Sequence, residues 1–337
     1  MLALVLKEGG YSGRATGPAI KDAGDYLRLA ELPVPVAGAG QVVIRLRMAS
    51  VNPSDLHFIK GEYGQPRIKG APAGFEGCGD VVQAGAGAEK LLGLRVAFVV
   101  SKGGSGAWAE YAMTDAATCI PLREDISDAD GAAQIVNPLT AMAMVDLAAK
   151  DGEAFVISAA TSQLGKLMIG LARDQGLKAI ALVRRAGALA GLEALGAAAV
   201  LDITAPDFAD RFAKASRAMK PRVFLDAVAD QSAEQVFAAM PNGARWICYG
   251  NMGAAPPMLS QIGQLIFMDK KIEGFWLTRW MQNTAPAQQK EVISRVQARF
   301  ADGRWRTDIS ARIPLAKGVP DLASATGLTD GKVLILG

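Results

Sequence analysis

The side chains that most often run enzyme chemistry are scarce here. The chain holds one histidine, His57, and three cysteines, Cys78, Cys119 and Cys248. No two cysteines form a C-x-x-C pair, and a zinc site of four Cys and His ligands has no recognisable spacing. A Ser-His-Asp or Cys-His nucleophilic system would have to run through His57 alone. Chemistry is better spelled out at Ser158-Ala159-Ala160-Thr161-Ser162-Gln163-Leu164-Gly165, a run of mostly small residues between an apolar segment and a helical one. Such a turn lets a dinucleotide pyrophosphate approach the backbone, with the first N–H groups of the helix facing the phosphates. The usual G-x-G-x-x-G is absent. Ala159 and Ala160 stand in for its first part, and Gly165 matches its last glycine. Roughly 20 residues on, Arg184 and Arg185 follow the next apolar run. An acidic residue there suits the ribose hydroxyls of NAD, whereas arginine suits the 2′-phosphate of NADP. The pair predicts a preference for NADPH. Taken alone, the turn also suits other doubly wound proteins, a methyltransferase included, but two arginines are poor partners for ribose hydroxyls.

These residues need a scaffold, and the chain offers two kinds. Before about residue 120, short β-rich segments alternate with Gly and Pro. Gln41 to Met48 alternates with period two, and Gly-rich turns such as Ala84 to Gly87 and Gly103 to Gly106 separate such runs. Short strands at close spacing predict a compact β-barrel-like domain. From about 150 to 250 the pattern turns to strand, helix, strand, helix. Ala154 to Ala160, Lys178 to Val183, Ala198 to Ile203, Arg222 to Asp226 and Ala244 to Tyr249 read as strands, and the segments between them carry helical spacing. Continuous apolar strands separated by helices predict a parallel sheet covered on both faces. A buried helix is expected to begin near Pro138. Lys271 to Leu277 reads as a further strand, Ala287 to Phe300 as a helix and Lys332 to Leu336 as a final strand.

Composition bounds the function. The chain has 337 residues, half of them hydrophobic and a fifth charged, with a formal net charge of +3. That length suggests two domains, and that charge argues against a nucleic-acid partner. No run of about 18 apolar residues occurs, so no membrane span is expected. Met1 to Glu8 has no basic residues ahead of its apolar run and reads as a first strand, not a signal peptide. Three scattered cysteines suit a reducing compartment, and the expected location is the cytoplasm.

Several segments together resemble the medium-chain dehydrogenase/reductase superfamily. They are Val51-Asn52-Pro53-Ser54-Asp55-Leu56-His57, Gly61-Glu62-Tyr63-Gly64, Pro72 to Gly77, Asn137 to Ala141, Ala159 to Gly165 and Gly331 to Leu334. The resemblance covers nearly the whole chain, in order. It implies an α/β fold, a Rossmann doubly wound parallel sheet plus a GroES-like β-barrel catalytic domain. The expected domains are 1–125 (GroES-like), 126–264 (Rossmann, NADPH-binding) and 265–337, a C-terminal segment returning to the first. The chain departs from the alcohol-dehydrogenase branch at the metal positions. Asn52 stands where that branch has a cysteine ligand, and Phe75 where it has a histidine. The cysteine-rich structural zinc lobe is missing too. The chain is similar to the zinc-free branch of quinone oxidoreductases, alkenal and enone reductases and 2-enoyl thioester reductases. Gly274-Phe275-Trp276-Leu277-Thr278-Arg279-Trp280 is similar to a tract of the enoyl thioester reductases.

The resemblance implies roles by position. Tyr63 is the catalytic candidate, as acid or anchoring hydroxyl. Thr161, Ser162, Gln163 and Leu164 would hold the pyrophosphate, and Thr140 would lie near the nicotinamide or its ribose. Tyr249, Gly250 and Asn251 would border the cofactor. Phe275, Trp276 and Leu277 would approach the carboxamide through their backbone. Asn52 is a candidate contact to the nicotinamide ribose or substrate, or a structural turn residue, and Lys332 a candidate contact to phosphate or ribose. His57 is expected in a surface or packing role, Asp55 and Glu76 as carboxylates that hold the fold, and the cysteines as small buried hydrophobes. The expected activity is hydride transfer from NADPH to an electrophilic alkene, a 2-enoyl thioester or enone, without a metal. The alternatives are a quinone acceptor and a non-catalytic NADPH-binding protein. Relatives commonly pair through the edge of the Rossmann sheet, so a homodimer is expected.

Overall fold

The computed structural model describes residues 1–184, 187, 189–253, 255–327 and 331–337. The chain divides into two compact units, Met1–Val136 with Ile293–Gly337, and Asn137–Val292. The first is built on a seven-stranded sheet. Its strands lie in the order Ile309–Pro314, Lys332–Leu336, Gln41–Val51, Glu76–Ala84, Arg95–Val99 and Cys119–Pro121, with Tyr111–Asp115 also paired to Gln41–Val51. Every pairing is antiparallel except that of Ile309–Pro314 with Lys332–Leu336. Leu2–Leu6 and Leu27–Glu31 form a separate hairpin. Leu4, Ile44, Phe98, Trp108 and Ile335 sit in the buried core of this unit.

The period-two pattern of Gln41–Val51 holds only around Arg45, Leu46 and Arg47, and both ends of the strand are mostly buried. Its register against Glu76–Ala84 shifts twice, between Val43 and Ile44 and between Leu46 and Met48. Bulges of this kind re-aim successive side chains. The strand then leads into the Pro53–Lys60 helix. Pro53 takes the first helical position, where its missing N–H costs nothing. Gly61 ends the helix in the left-handed region, at φ 74°, and its N–H donates to the Phe58 carbonyl at 2.9 Å. Tyr63 follows two residues later.

The second unit is a six-stranded sheet, parallel throughout. The strands lie in the order Ala199–Asp202, Lys178–Val183, Ala154–Ile157, Val223–Asp226, Arg245–Cys248 and Lys271–Gly274. In sequence order that is third, second, first, fourth, fifth, sixth. The direction of winding reverses between Ala154–Ile157 and Val223–Asp226, the switch point at which ligands bind in such sheets. Val156, Ile180, Phe224 and Trp246 pack in its core with Phe212 and Phe237 from the intervening helices. The helix expected near Pro138 runs Val136–Ala149, since proline is tolerated within a first helical turn. Lys271 to Leu277 is not one strand. Strand pairing stops at Gly274, and Leu277–Asn283 is helical. Apolar content alone does not separate a strand from a helix start. Among the described residues, no helix is long and apolar enough to cross a membrane.

Gly74 marks one tight point of the first unit. Its φ is +91°, and a Cβ there would lie 2.3 Å from the buried Trp108 ring. Gly74→Ala is expected to lower the urea-unfolding free energy by roughly 2–4 kcal/mol, from backbone strain and overpacking together, read as a reduced midpoint in tryptophan fluorescence.

Candidate active site

In the first unit, Ser50, Asn52, Asp55, Glu76 and Lys332 are buried together. The Asn52 amide nitrogen donates to Glu76 Oε1 at 2.9 Å and to Ser50 Oγ at 3.2 Å. Ser50 Oγ itself donates to Glu76 Oε1 at 2.6 Å. Lys332 Nζ donates to Asn52 Oδ1 and lies 4.0 Å from Glu76. Glu76 Oε2 accepts from the Val136 N–H at 2.8 Å. Asp55 uses both oxygens: Oδ2 accepts from the Asn52 N–H and Oδ1 from the Phe75 N–H, each at 2.8 Å. The strand, the helix start and residues 75–76 are therefore tied through side chains. Burial pushes the Asp55 carboxyl up to about 7, against the hydrogen bond from the Asn52 backbone. Burial also lowers the Lys332 ammonium, opposed by the charges of Glu76 and Asp55.

Asn52 and Lys332 thus meet, although 280 residues separate them. Their polar atoms make hydrogen bonds inside the cluster. Among the described residues, no group of three or more His, Cys, Asp or Glu side chains could hold a metal ion. Tyr63 and Phe75 are half-buried neighbours, with ring centroids 5.2 Å apart. His57 Nδ1 lies 3.6 Å from Glu62 Oε2, and the His57 side chain is nearly enclosed.

In the second unit, four of the sequence-predicted groups follow the carboxyl ends of parallel strands in the same sheet. Thr161 to Leu164 come after Ala154–Ile157, and Arg184 comes directly after Lys178–Val183. Tyr249 to Asn251 come after Arg245–Cys248, and Phe275 to Leu277 after Lys271–Gly274. This is the edge of a doubly wound sheet where dinucleotides lie. Arg184 is exposed, and Arg185 lies outside the described residues. Thr140 is buried in the Val136–Ala149 helix.

The turn has the geometry of a phosphate cradle despite its missing glycines. Ala159 adopts φ +47°, a left-handed conformation that glycine normally supplies. A Cβ on Gly165 would lie 2.5 Å from the Ala160 carbonyl oxygen, so the helix and turn approach as closely as the fingerprint's last glycine allows. Ser162 caps the Gln163–Asp174 helix, its hydroxyl accepting from the Gly165 N–H at 3.1 Å. A Cβ on Gly250 would meet the Ala227 carbonyl oxygen at 2.6 Å, so backbone packs on backbone there too. These residues fit a dinucleotide.

Sequence reasoning missed the buried carboxylate beneath this edge. Asp226 accepts from Ser158 Oγ at 2.5 Å, from Trp246 Nε1 at 2.9 Å and from the N–H groups of Val228 and Ala229 at 2.9 Å. Burial raises its pKa in spite of these bonds. It pins the turns after two strands on either side of the switch point. Burial, and then the Asp226 charge, also hold the Tyr249 phenol well above its ordinary value. An aspartate closing an apolar run was the only sequence signal, and its partners lie up to 68 residues away.

A parallel sheet wound both ways from a tight small-residue turn defines the class: a dinucleotide-binding fold joined to a mainly antiparallel β unit. Comparison with known proteins agrees. A family described as the alcohol dehydrogenase GroES-like domain matches residues 38–124, and one described as zinc-binding dehydrogenase matches residues 164–297. A solved structure from Mesorhizobium loti, provisionally described as an NADPH:quinone reductase, is 46% identical, covers 100% of this chain and 98% of its own, and has a TM-score of 0.96. The quinone oxidoreductase of Thermus thermophilus, solved also with NADPH, is 26% identical with full coverage of both chains and a TM-score of 0.79. The mitochondrial enoyl-acyl-carrier-protein reductase of Bos taurus is 28% identical over 316 residues, which is 90% of this chain and 83% of that protein. The chain belongs to the medium-chain dehydrogenase/reductase superfamily, in its zinc-free branch of quinone oxidoreductases and enoyl thioester reductases.

The buried Asp55 gives stability a pH signature. With its folded pKa raised to about 7, the folded protein keeps a proton that the unfolded chain releases near pH ~4. That contribution is complete below about pH 4 and is lost as pH rises to about 7. Urea titrations of the wild type and of Asp55→Asn across this window should show a falling component present only in the wild type. Parallel pH profiles for the two proteins would contradict the assignment.

Proposed function

We propose that this chain is an NADPH-dependent reductase acting on an electron-poor alkene conjugated with a carbonyl, a 2-enoyl thioester or an enone. The observation that carries the reading is the placement of Tyr63, half-buried and packed against the Phe75 ring. Asn52 and Lys332 would reach a ribose, a phosphate or a substrate only by giving up hydrogen bonds inside the cluster. The Tyr63 phenol is a hydrogen-bond donor of the kind suited to a developing charge. The bovine relative, by its description an enoyl reductase, supports this substrate class.

Bound NADPH supplies the hydride. Addition at the β-carbon drives negative charge onto the substrate carbonyl oxygen, a preorganised donor lowers that barrier, and the α-carbon then takes a proton from water. Tyr63 donates a hydrogen bond to that carbonyl oxygen through its phenol O–H. The N–H groups opening the Gln163–Asp174 helix, with Thr161 and Ser162, hold the pyrophosphate. Arg184 and Arg185 hold the 2′-phosphate. Thr140, Tyr249 to Asn251 and Phe275 to Leu277 border the nicotinamide half. A second reading, with a quinone as acceptor, is favoured by the description of the Mesorhizobium loti relative.

We further propose a homodimer formed through the outer edge of the Lys271–Gly274 strand, the last in its sheet. An open strand edge is a template for pairing. Beside it in sequence, Met258, Ile266 and Phe267 are 79%, 69% and 84% exposed, an apolar excess that marks an interaction surface. The three free thiols suit a reducing compartment, and the cytoplasm is the proposed location.

Single-turnover NADPH oxidation with crotonyl-CoA and, separately, with a simple quinone should show turnover of the enoyl thioester. Activity on the quinone alone would reject the enoyl reading, and tight NADPH binding with no turnover would indicate a binding protein. Tyr63→Phe is expected to lower kcat on crotonyl-CoA by roughly 10²–10³; unchanged turnover would leave Tyr63 as a lining residue. Arg184→Ala should weaken NADPH binding by roughly tenfold and leave NADH almost unaffected. For the dimer, light scattering should give twice the 35.2 kDa chain mass, and Phe267→Asp should yield the monomer.

A further inference from the structure

Tyr63 lies in an irregular segment that follows the Gly61 helix stop. A donor that must meet a developing charge needs a fixed orientation, and segments outside regular elements do not fix one unaided. The structure supplies a support in Phe75. Its ring centroid is 5.2 Å from that of Tyr63, at 41° between planes. Phe58, on the Pro53–Lys60 helix, packs on the same ring at 5.0 Å and 47°. Tilted aromatic contacts at such distances favour particular ring orientations.

Phe75 is itself unusually well held. Its N–H donates to Asp55 Oδ1 at 2.8 Å, and its carbonyl accepts from the Val100 N–H at 2.8 Å. The preceding Gly74 takes φ +91° against the buried Trp108 ring, a conformation with no room for a side chain. Asp55 in turn is fixed by the Asn52 N–H at 2.8 Å. A continuous path thus runs from the buried cluster through the Asp55 carboxylate to the Phe75 backbone, and through the Phe75 ring to Tyr63.

We propose that Phe75 is a positioning residue for Tyr63: held by Asp55 and Val100 and flanked by Phe58, its ring sets the plane of the Tyr63 phenol. Phe75 stands at a position where the alcohol-dehydrogenase branch carries a metal ligand, so the same backbone site would support a hydroxyl donor in place of an ion. The kinetic part of this inference rests on the reductase reading above; the structural part does not.

The test joins kinetics with a spectroscopic readout. Phe75→Met keeps apolar volume but removes the ring, and it should lower kcat on the accepted substrate by roughly tenfold with NADPH affinity unchanged. Phe75→Tyr, which restores a ring, should recover most of that loss. In a Tyr63→Phe background, Phe75→Met should cost less than about twofold more, because the two side chains act through one contact. Where Tyr63→Phe itself lowers kcat, equal losses in both backgrounds, or no loss in the single variant, would overturn the proposal. The chain has five tyrosines, so the Tyr63 resonance in fluorotyrosine-labelled protein is assigned by its disappearance in Tyr63→Phe. Phe75→Met should shift that fluorine resonance, with the other four unmoved. A Tyr63 resonance that does not move would overturn the positioning role. Should Tyr63→Phe prove kinetically silent, the catalytic reading of Tyr63 fails, and the fluorine shift still decides whether Phe75 orients it.

Discussion

The burial of the Lys332 ammonium against Asn52, Glu76 and Asp55 is the interaction on which the first unit depends. Each charge alone would cost several kcal/mol to remove from water. Together, with Ser50 and backbone N–H groups satisfying the remaining lone pairs, they form a network whose members cannot be removed singly without leaving an orphan. The network also makes connections. It ties the Lys332–Leu336 strand to the end of Gln41–Val51, to the start of the Pro53–Lys60 helix and to residues 75 and 76. In so doing it fixes where the helix begins, and so where its stop at Gly61 delivers Tyr63.

The second unit solves a similar problem with one carboxylate. Strands that part at the switch point leave turns with no sheet partner to hold them. Asp226 collects donors from two of these turns and from the Trp246 indole. The left-handed Ala159 and the close approach at Gly165 then become tolerable, because the strands on both sides are pinned. The two units share a principle: a buried carboxyl group, held by several hydrogen bonds, sets the backbone segments beside it.

Much of this was legible in the chain. Continuous apolar runs between helical segments gave the parallel sheet, since strands buried on both faces carry no alternation. Small residues before Gly165 pointed to a tight turn after the first strand of the sheet, and the turn there is tight. The tract after Lys271 was less legible. Lys271 to Leu277 reads as one strand, but pairing stops at Gly274, a limit set by the neighbouring Arg245–Cys248 strand and not by local composition. The left-handed Ala159 was invisible as well, because alanine carries no sign of that conformation.

The sequence by itself determined the two kinds of unit, the tight small-residue turn and the replacement of metal-ligand types by Asn52 and Phe75. These depend on residue type and local order, which a chain states directly. Only the tertiary structure decided that Lys332 and Asn52 share a hydrogen bond across 280 residues, that Asp55 grips the Phe75 backbone, and that Asp226 gathers Ser158 and Trp246. The physical reason is common to all three. A buried charge is tolerable only when distant segments bring their donors to it, and which segments meet is fixed by sheet register rather than by any residue's neighbours in the chain.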